Sequence, residues 1–180
     1  YGMYNVVDNG PNIGIGGFSR ASGTSGTQQI VLGYNVAGSG DNTFTFGAGS
    51  TDTTCSHGAT SFSAPSDERW KKDIETSTCG LSFINDLRPV SFKFKTKGEL
   101  DSSLHDYEKD STEVAGFTSD SVLGFVAQEV KAVIDNHSEF KGSELWKEGI
   151  DEYNKRQRIS KEALIPILVK AVQELSAKVK

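Results

Sequence analysis

Charged residues are distributed very unevenly along this sequence, and the change falls between Pro65 and Ser66. Residues 1–65 hold only four of the 19 basic and 24 acidic side chains, but they hold 13 of the 19 glycines. Residues 66–180 are rich in charge and have the amphipathic patterns of an ordinary globular domain. The composition therefore predicts two domains, residues 1–65 and residues 66–180.

Glycine follows an apolar residue repeatedly in the first domain, at Gly16, Gly33 and Gly47, with spacings of 17 and 14 residues. Short alternating segments at residues 30–32 and 44–46 are typical of strands. A short strand, a turn and a glycine where backbones crowd indicate a wound β structure in which each turn of the chain packs on the next. The alternative interpretation is a flexible Gly/Ser linker.

Composition also excludes several classes of function. The net charge of −5 argues against nonspecific binding of nucleic acid, which requires a basic surface. No apolar run approaches the roughly 20 residues that span a bilayer, so we expect no membrane insertion. Cys55 and Cys79 are too few for a disulfide framework or a zinc site of their own. We therefore predict neither a cofactor nor a metal.

The charged domain begins with a predicted helix. Pro65 and the acidic residues that follow it favour a helix start with Ser66 as the N-cap. The expected later elements are a short helix ending before Arg88-Pro89, a strand at residues 90–95, and a strand that leads into a helix at residues 124–134.

The last segment has the clearest period in the sequence. Its apolar residues are spaced by 3, 4, 3 and 4 positions, which is the seam of a heptad repeat. This predicts a coiled-coil helix over about residues 164–180, and the alternative is a helix that packs on the core of its own domain. The seam residues are Ile165, Leu168, Val172, Leu175 and Val179.

Four segments together carry a resemblance to a known family. The sequences S-D-E-R-W-K-K-D-I, L-R-P-V-S-F-K-F-K, G-F-V-A-Q-E-V and L-V-K-A-V-Q-E-L occur in this order within residues 66–180. In this combination the chain resembles the phage intramolecular chaperone domain, also called the peptidase S74 family. Members of that family end the tail fibres, tail spikes and neck appendages of phages.

The resemblance implies an α+β chain. Residues 1–65 would be the distal part of a trimeric β fibre, either a β-roll or a triple β-helix, and residues 66–180 would be a helix-rich chaperone domain. The implied partners are two further copies of the chain, the upstream fibre domains and, through the mature fibre, a receptor on the host surface. The implied locations are the virion for the fibre and the host cytoplasm for the released chaperone domain.

The resemblance also implies self-cleavage by a Ser–Lys dyad, which falls on Ser66 and Lys71 in this sequence. The cut would lie at Pro65 and Ser66, or one residue later. Lysine activates a serine hydroxyl only when it is neutral. Burial, which trimer closure would supply, or a nearby positive charge such as Arg69 or Lys72 disfavours its charged form. A regular helix would place positions five apart at about 140°, so we expect Ser66 to lie outside the helix of Lys71, or Lys71 to serve a neighbouring chain.

Three further residues are expected to support the site. They are Asp67, next to the nucleophile, and Gln128 and Glu129, which match the A-Q-E segment of the family. Backbone N–H groups and Gln128 are the candidate donors to an oxyanion. Two alternatives remain at this stage: a trimerising tip of a structural adhesin without catalysis, and the related autoprocessing domain of a transcription factor.

Overall fold

A computed structural model describes residues 10–149 and 156–179 of the chain. The described residues form two compact units, which divide between Ile74 and Glu75. The predicted fibre segment before residue 10 and the last residue of the predicted coiled coil lie outside the described residues. None of the helices in the described ranges is both long and apolar enough to cross a bilayer.

A four-stranded sheet forms the first unit. Its strands are β1 (Ile13–Ile15), β2 (Ile30–Tyr34), β3 (Thr43–Ala48) and β4 (Thr51–Ser56). The first three pair in parallel in the order of the sequence, while β4 returns antiparallel to β3 as a hairpin. The two predicted strand segments are confirmed, and a flexible linker is wrong for this part of the chain. The antiparallel return was not predicted.

The repeated glycines lie side by side in the sheet. Gly33 of β2 is paired with Gly47 of β3, and Gly16, Gly33 and Gly47 all have positive φ angles, of 115°, 139° and 156°. A Cβ atom at Gly16 would overlap the carbonyl oxygen of Gly33, and one at Gly33 would overlap that of Gly47. The predicted crowding of backbones at these glycines is confirmed.

Successive side chains of the strands point to opposite faces of the sheet. On the inner face Val31 and Thr45 are fully buried. The side chain of the buried Gln29 donates to Ser22 Oγ (2.9 Å) and Asp41 Oδ1 (3.2 Å) and accepts from the Ser22 N–H (2.9 Å). This buried amide is therefore fully hydrogen-bonded, as a polar group in a core must be.

The opposite side of the sheet, which we call the outer face, carries two rows of apolar side chains. In each row the residues are direct partners across the parallel strands, and none of them is buried. The outer face consists of Ile13, Ile30 and Phe44 in one row and of Ile15, Leu32 and Phe46 in the other.

The second unit combines three helices with two small antiparallel sheets. Its elements are α1 (Leu81–Asp86), β5 (Val90–Phe92), β6 (Val122–Gly124), α2 (Ala127–Asn136), β7 (Trp146–Lys147), β8 (Arg158–Ile159) and α3 (Ile165–Lys178). The predicted helix before Arg88-Pro89 is confirmed, as is the strand that leads into a helix. The predicted strand at residues 90–95 is shorter than expected.

One apolar core joins the three helices of this unit. Phe83 of α1 is fully buried and stacks on Phe140, with ring centroids 5.2 Å apart. The buried members of the core are Cys79, Phe83, Leu87, Val130, Leu145, Leu164 and Ile167. Full burial of each large side chain is worth about 1.5–3 kcal/mol, so this cluster is the main source of stability in the second unit.

Helix α3 uses one of its faces for this core. Pro166 lies in its first turn, where a missing N–H costs nothing. Ile167 and Ala171 are buried, as is Leu164 just before the helix. The five predicted seam residues lie on another face and are 45–87% exposed. The helix therefore packs on its own domain and still presents the predicted heptad seam to solvent.

Candidate active site

Ser66 and Lys71 flank a single turn of 3-10 helix, Glu68–Trp70. The N-cap of this turn is Asp67, whose side chain accepts a hydrogen bond from the N–H of Arg69. The prediction of a longer helix with Ser66 as its N-cap is wrong. Lys71 is already the C-cap and has an extended backbone, so both residues lie outside the helical turn.

This short turn brings the two side chains together within one chain. Lys71 Nζ lies 2.7 Å from Ser66 Oγ, at hydrogen-bond distance. A regular helix would have directed the two side chains apart. The 3-10 turn ends after three residues, and its extended flanks let the lysine side chain reach back to the serine.

Both members of the pair are exposed to water. Every residue from His57 to Thr78 is exposed, except for the half-buried Asp67. Trp70 is 72% exposed, so it does not bury the neighbouring lysine in the single chain. The geometry of a serine–base pair is thus present in the isolated chain, but the dry surroundings that a neutral lysine requires are not.

Asp67 and Arg69 form an ion pair beside the turn. Arg69 Nη2 lies 2.5 Å from Asp67 Oδ2, and Arg69 Nε lies 3.0 Å from Asp67 Oδ1. The hydrogen bonds from Arg69 hold the pKa of Asp67 below its ordinary value, and the charge of Lys71 acts in the same direction. Arg69 was expected to act on Lys71 as a free positive charge, but its charge is compensated by Asp67.

Glu129 lies in the first turn of α2 and pairs with Arg88, with 2.9 Å between Oε2 and Nε. This pairing lowers the pKa of the Glu129 carboxyl. It connects the R-P-V and A-Q-E motifs, although the sequence did not predict the contact. Gln128 is exposed. Both α2 residues belong to the second unit, whereas Ser66 and Lys71 belong to the first.

His137, just after α2, is buried and pairs with two carboxylates that sequence reasoning missed. Its Nε2 lies 2.8 Å from Asp86 Oδ2 and its Nδ1 lies 2.6 Å from Glu139 Oε1. The hydrogen bonds to Glu139 and then to Asp86 raise the pKa of His137, and burial opposes them. The imidazole ring therefore links the end of α1 to the segment that follows α2.

The stability of the second unit is expected to fall as the pH rises through this raised pKa. The contribution of His137 is complete below the ordinary histidine pKa of about 6.5, because both the folded and the unfolded chain are then protonated. It is lost as the folded chain deprotonates, at a cost of about 1–2 kcal/mol. Urea unfolding of the full chain, followed by Trp146 fluorescence in a Trp70→Phe background, measures this.

Two variants serve as controls for this pH dependence. His137→Gln removes the titrating group and should flatten the profile above neutral pH. His105→Gln changes an exposed histidine and should leave the profile as it is. Equal profiles for the His137→Gln variant and the parent chain would show that the buried pair does not contribute.

No group of three or more His, Cys, Asp or Glu side chains suited to a metal ion occurs within residues 10–149 and 156–179. Cys79 is buried, and burial raises the pKa of its thiol, which disfavours the thiolate that a metal would require.

Comparison with protein-family models gives a match to part of the chain. Residues 66–139 match the model of the Peptidase S74 family, described as the chaperone of endosialidase. No curated protein and no solved structure matches the chain. The matched residues begin at Ser66 and include Lys71, Arg88, Gln128 and Glu129. The family is a peptidase family with self-cleaving members, and its description indicates a chaperone role. From Ser66 to Glu139, about two fifths of the chain, the sequence is therefore similar to the Peptidase S74, or chaperone of endosialidase, family.

Proposed function

We propose that residues 66–180 are an intramolecular chaperone that assembles three copies of the preceding β segment and then releases itself by cutting its own chain at Ser66. The observation that carries this proposal is the 2.7 Å contact between Lys71 Nζ and Ser66 Oγ at the start of the family match. The proposed setting is the end of a phage tail fibre or spike, which would bind a host receptor while the chaperone domain stays in the host cytoplasm.

The reaction consists of two steps. Neutral Lys71 takes the proton from Ser66 Oγ, and the oxygen attacks the carbonyl carbon of Pro65. The bond from that carbon to the Ser66 nitrogen breaks, the nitrogen receives the proton, and an ester to Ser66 Oγ remains. Water then opens the ester, which leaves a carboxylate on Pro65 and restores the Ser66 hydroxyl. One molecule of water is consumed for each bond that is cut.

Assembly is the proposed trigger for this reaction. In the single chain Lys71 is exposed, and exposure does not provide the desolvation that favours a neutral lysine. Two large apolar residues close to it in the sequence, Trp70 and Ile74, are 72% and 65% exposed. Their burial against neighbouring copies would remove water from the lysine. The cut would then follow trimer formation rather than precede it.

Two solvent-accessible apolar surfaces support self-association. One is the seam on α3, whose spacing suits a coiled coil. The other is the outer face of the first unit, where six apolar side chains stand in two rows without an intervening charge. Large exposed apolar patches mark interaction sites in soluble proteins. A homotrimer would cover both surfaces with copies of themselves.

We predict that Leu168→Glu prevents trimer formation. In a trimer, a glutamate at position 168 of each copy would place three carboxylates in one apolar layer of the coiled coil. Burial of unpaired charge is strongly unfavourable. We expect association to weaken about 100-fold or more, as an assembly constant weakens by tenfold for each ~1.4 kcal/mol. Native mass spectrometry over a range of protein concentrations measures the fraction of trimer.

The matched control for this prediction is Val169→Glu. Val169 is also apolar and half exposed, but it lies outside the 3-4 seam. This variant should remain trimeric. Equal dissociation of both variants would indicate a general effect of charge on α3, and a trimeric Leu168→Glu variant would contradict the seam.

The full chain tests the proposed cleavage directly. After purification and incubation, the intact masses on denatured samples should correspond to two fragments that meet at the Pro65–Ser66 bond. A trimer that stays full length would instead favour a trimerising tip of a structural adhesin without catalysis.

A further inference from the structure

The segment that leads to the Pro65–Ser66 bond is hydrogen-bonded to the sheet of the first unit. Ser63 forms an antiparallel bridge with Thr54 of β4. The N–H of each residue donates to the carbonyl oxygen of the other, and both distances are 2.8 Å. A turn that includes Gly58, with a φ of 82°, reverses the chain between them. Ser63 thus occupies the outer edge of β4.

This bridge continues the pairing of the buried row of the sheet. Val31 pairs with Thr45, Thr45 pairs with Thr54, and Thr54 pairs with Ser63. The Ser63 bridge requires the backbone groups of Thr54 to be held in an extended strand, and the pairing of β4 with β3 holds them so. The position of Ser63 therefore depends on the formation of the β3–β4 hairpin.

A side-chain contact strengthens the same attachment. The ring of Phe62 meets the ring of Phe46 of β3 edge-on, with centroids 5.7 Å apart and an interplanar angle of 79°. Aromatic pairs of this geometry are worth about 0.5–1.5 kcal/mol beyond their buried area. The residue before Ser63 is thus also held on the sheet.

The chain between Ser63 and Ser66 has little freedom. Pro65 has a fixed φ and confines Ala64 to extended conformations. Three residues span at most about 10 Å. The bond before Ser66 therefore lies within about 10 Å of the last hydrogen bond of the sheet.

We infer that the first unit holds the chain before the cut as a substrate strand, so that Ser66 reacts only after the β3–β4 hairpin has folded. This inference rests on the proposed self-cleavage. Addition of an extended segment to a sheet edge is a recurring mode of peptide recognition, and orientation of the reacting groups accelerates an intramolecular reaction. Ser63 and Phe62 are positioning residues, and their contacts with β4 and β3 make the cut depend on folding of these two strands.

Variants at Ser63 test this role. Ser63→Pro removes the N–H that donates to Thr54, whereas Ser63→Ala keeps it. We expect cleavage of the full chain to slow about tenfold for Ser63→Pro, because the free-energy cost of ordering one backbone residue corresponds to about that factor. Cleavage of Ser63→Ala should stay at the wild-type rate. Ser61→Pro introduces proline outside the bridge and should also cleave at the wild-type rate. Phe62→Ala should cleave more slowly, with its backbone donors intact.

Rates are to be measured by intact mass on chains that native mass spectrometry shows to be trimeric, which separates positioning from assembly. Slower cleavage of trimeric Ser63→Pro and Phe62→Ala, with Ser63→Ala and Ser61→Pro unchanged, supports the substrate strand. Wild-type rates in trimeric Ser63→Pro and Phe62→Ala overturn it and leave the proposed function intact. A wild-type trimer that never cleaves overturns the proposed function and the inference together.

Discussion

The Ser66→Ala and Lys71→Ala variants are expected to stay at full length under conditions in which the wild-type chain separates into two fragments. Ser66→Ala removes the attacking oxygen, so no ester forms. Lys71→Ala removes the base that lies 2.7 Å from that oxygen. A general base contributes about 10²–10⁴-fold to a rate, so cleavage of the lysine variant should slow by at least about 100-fold.

Two substitutions sharpen the test of the lysine. Lys71→Arg retains the positive charge and the hydrogen-bond donor, but an arginine does not deprotonate in proteins and cannot act as a base. It should therefore remain uncut. Lys72→Arg makes the same exchange at the exposed neighbouring cation, keeps its charge and should cleave like the wild type.

Intact mass on denatured samples gives the extent of cleavage, and native mass spectrometry shows whether the uncut variants are trimeric. Trimeric variants that stay whole would assign the effect to the chemistry rather than to assembly. Rapid cleavage of Lys71→Arg would contradict the role of Lys71 as the base and would leave its contact with Ser66 as a structural hydrogen bond.

The Gly33→Ala variant is expected to lose the ladder of the first unit. Gly33 has a φ of 139°, and a Cβ atom there would overlap the carbonyl oxygen of Gly47 on the neighbouring strand. Backbone atoms of a paired strand cannot move aside as a flexible side chain can. The strain of the positive φ and the overlap together should lower the free energy of unfolding by about 3 kcal/mol or more.

Two other glycines separate these two effects. Gly40 also has a positive φ, of 156°, but a Cβ there meets open space. Gly40→Ala should therefore cost only the backbone strain, about 1–2 kcal/mol. At Gly23 a Cβ likewise meets open space, and no positive φ is present, so Gly23→Ala should be neutral or slightly stabilising.

Hydrogen exchange of the Val31 and Thr45 amides in the full chain measures the stability of the ladder, because both lie in its buried row. Equal protection in Gly33→Ala and Gly23→Ala would mean that the strands can separate at this point without loss of pairing. That result would contradict the inference that Gly33 is required for the close pairing of β2 and β3.

The local sequence pattern was sufficient to predict two strands of the first unit and the close approach of backbones at its repeated glycines. The spacing of Gly16, Gly33 and Gly47 equals the length of chain between neighbouring strands, so the repeat itself contained the register. It did not reveal that β4 turns back or that Ser63 joins the edge of β4. The direction of β4 depends on one turn, and the Ser63 bridge depends on two backbone hydrogen bonds. Neither produces a periodic pattern in the sequence.

The candidate site shows the same limit at shorter range. The motif beginning at Ser66 identified the serine and the lysine, but a helix five residues or longer was the wrong local structure. The side chain of Asp67 caps the turn one residue later than predicted, and the helix ends after Trp70. The contact with Lys71 results from this early end, which no propensity scale distinguishes from the start of a longer helix.

The amino-acid sequence by itself determined the change in composition at residue 65, the glycine spacing and the heptad period near the C-terminus. These depend on local composition and periodicity, which are properties of the chain alone. Only the tertiary structure decided which face of α3 is buried. Its apolar residues form two stripes, one through Leu164, Ile167 and Ala171 and one along the seam. The core of the second unit covers the stripe through Ile167, and the seam remains exposed. Burial of a stripe depends on which residues the rest of the fold packs against that face of the helix.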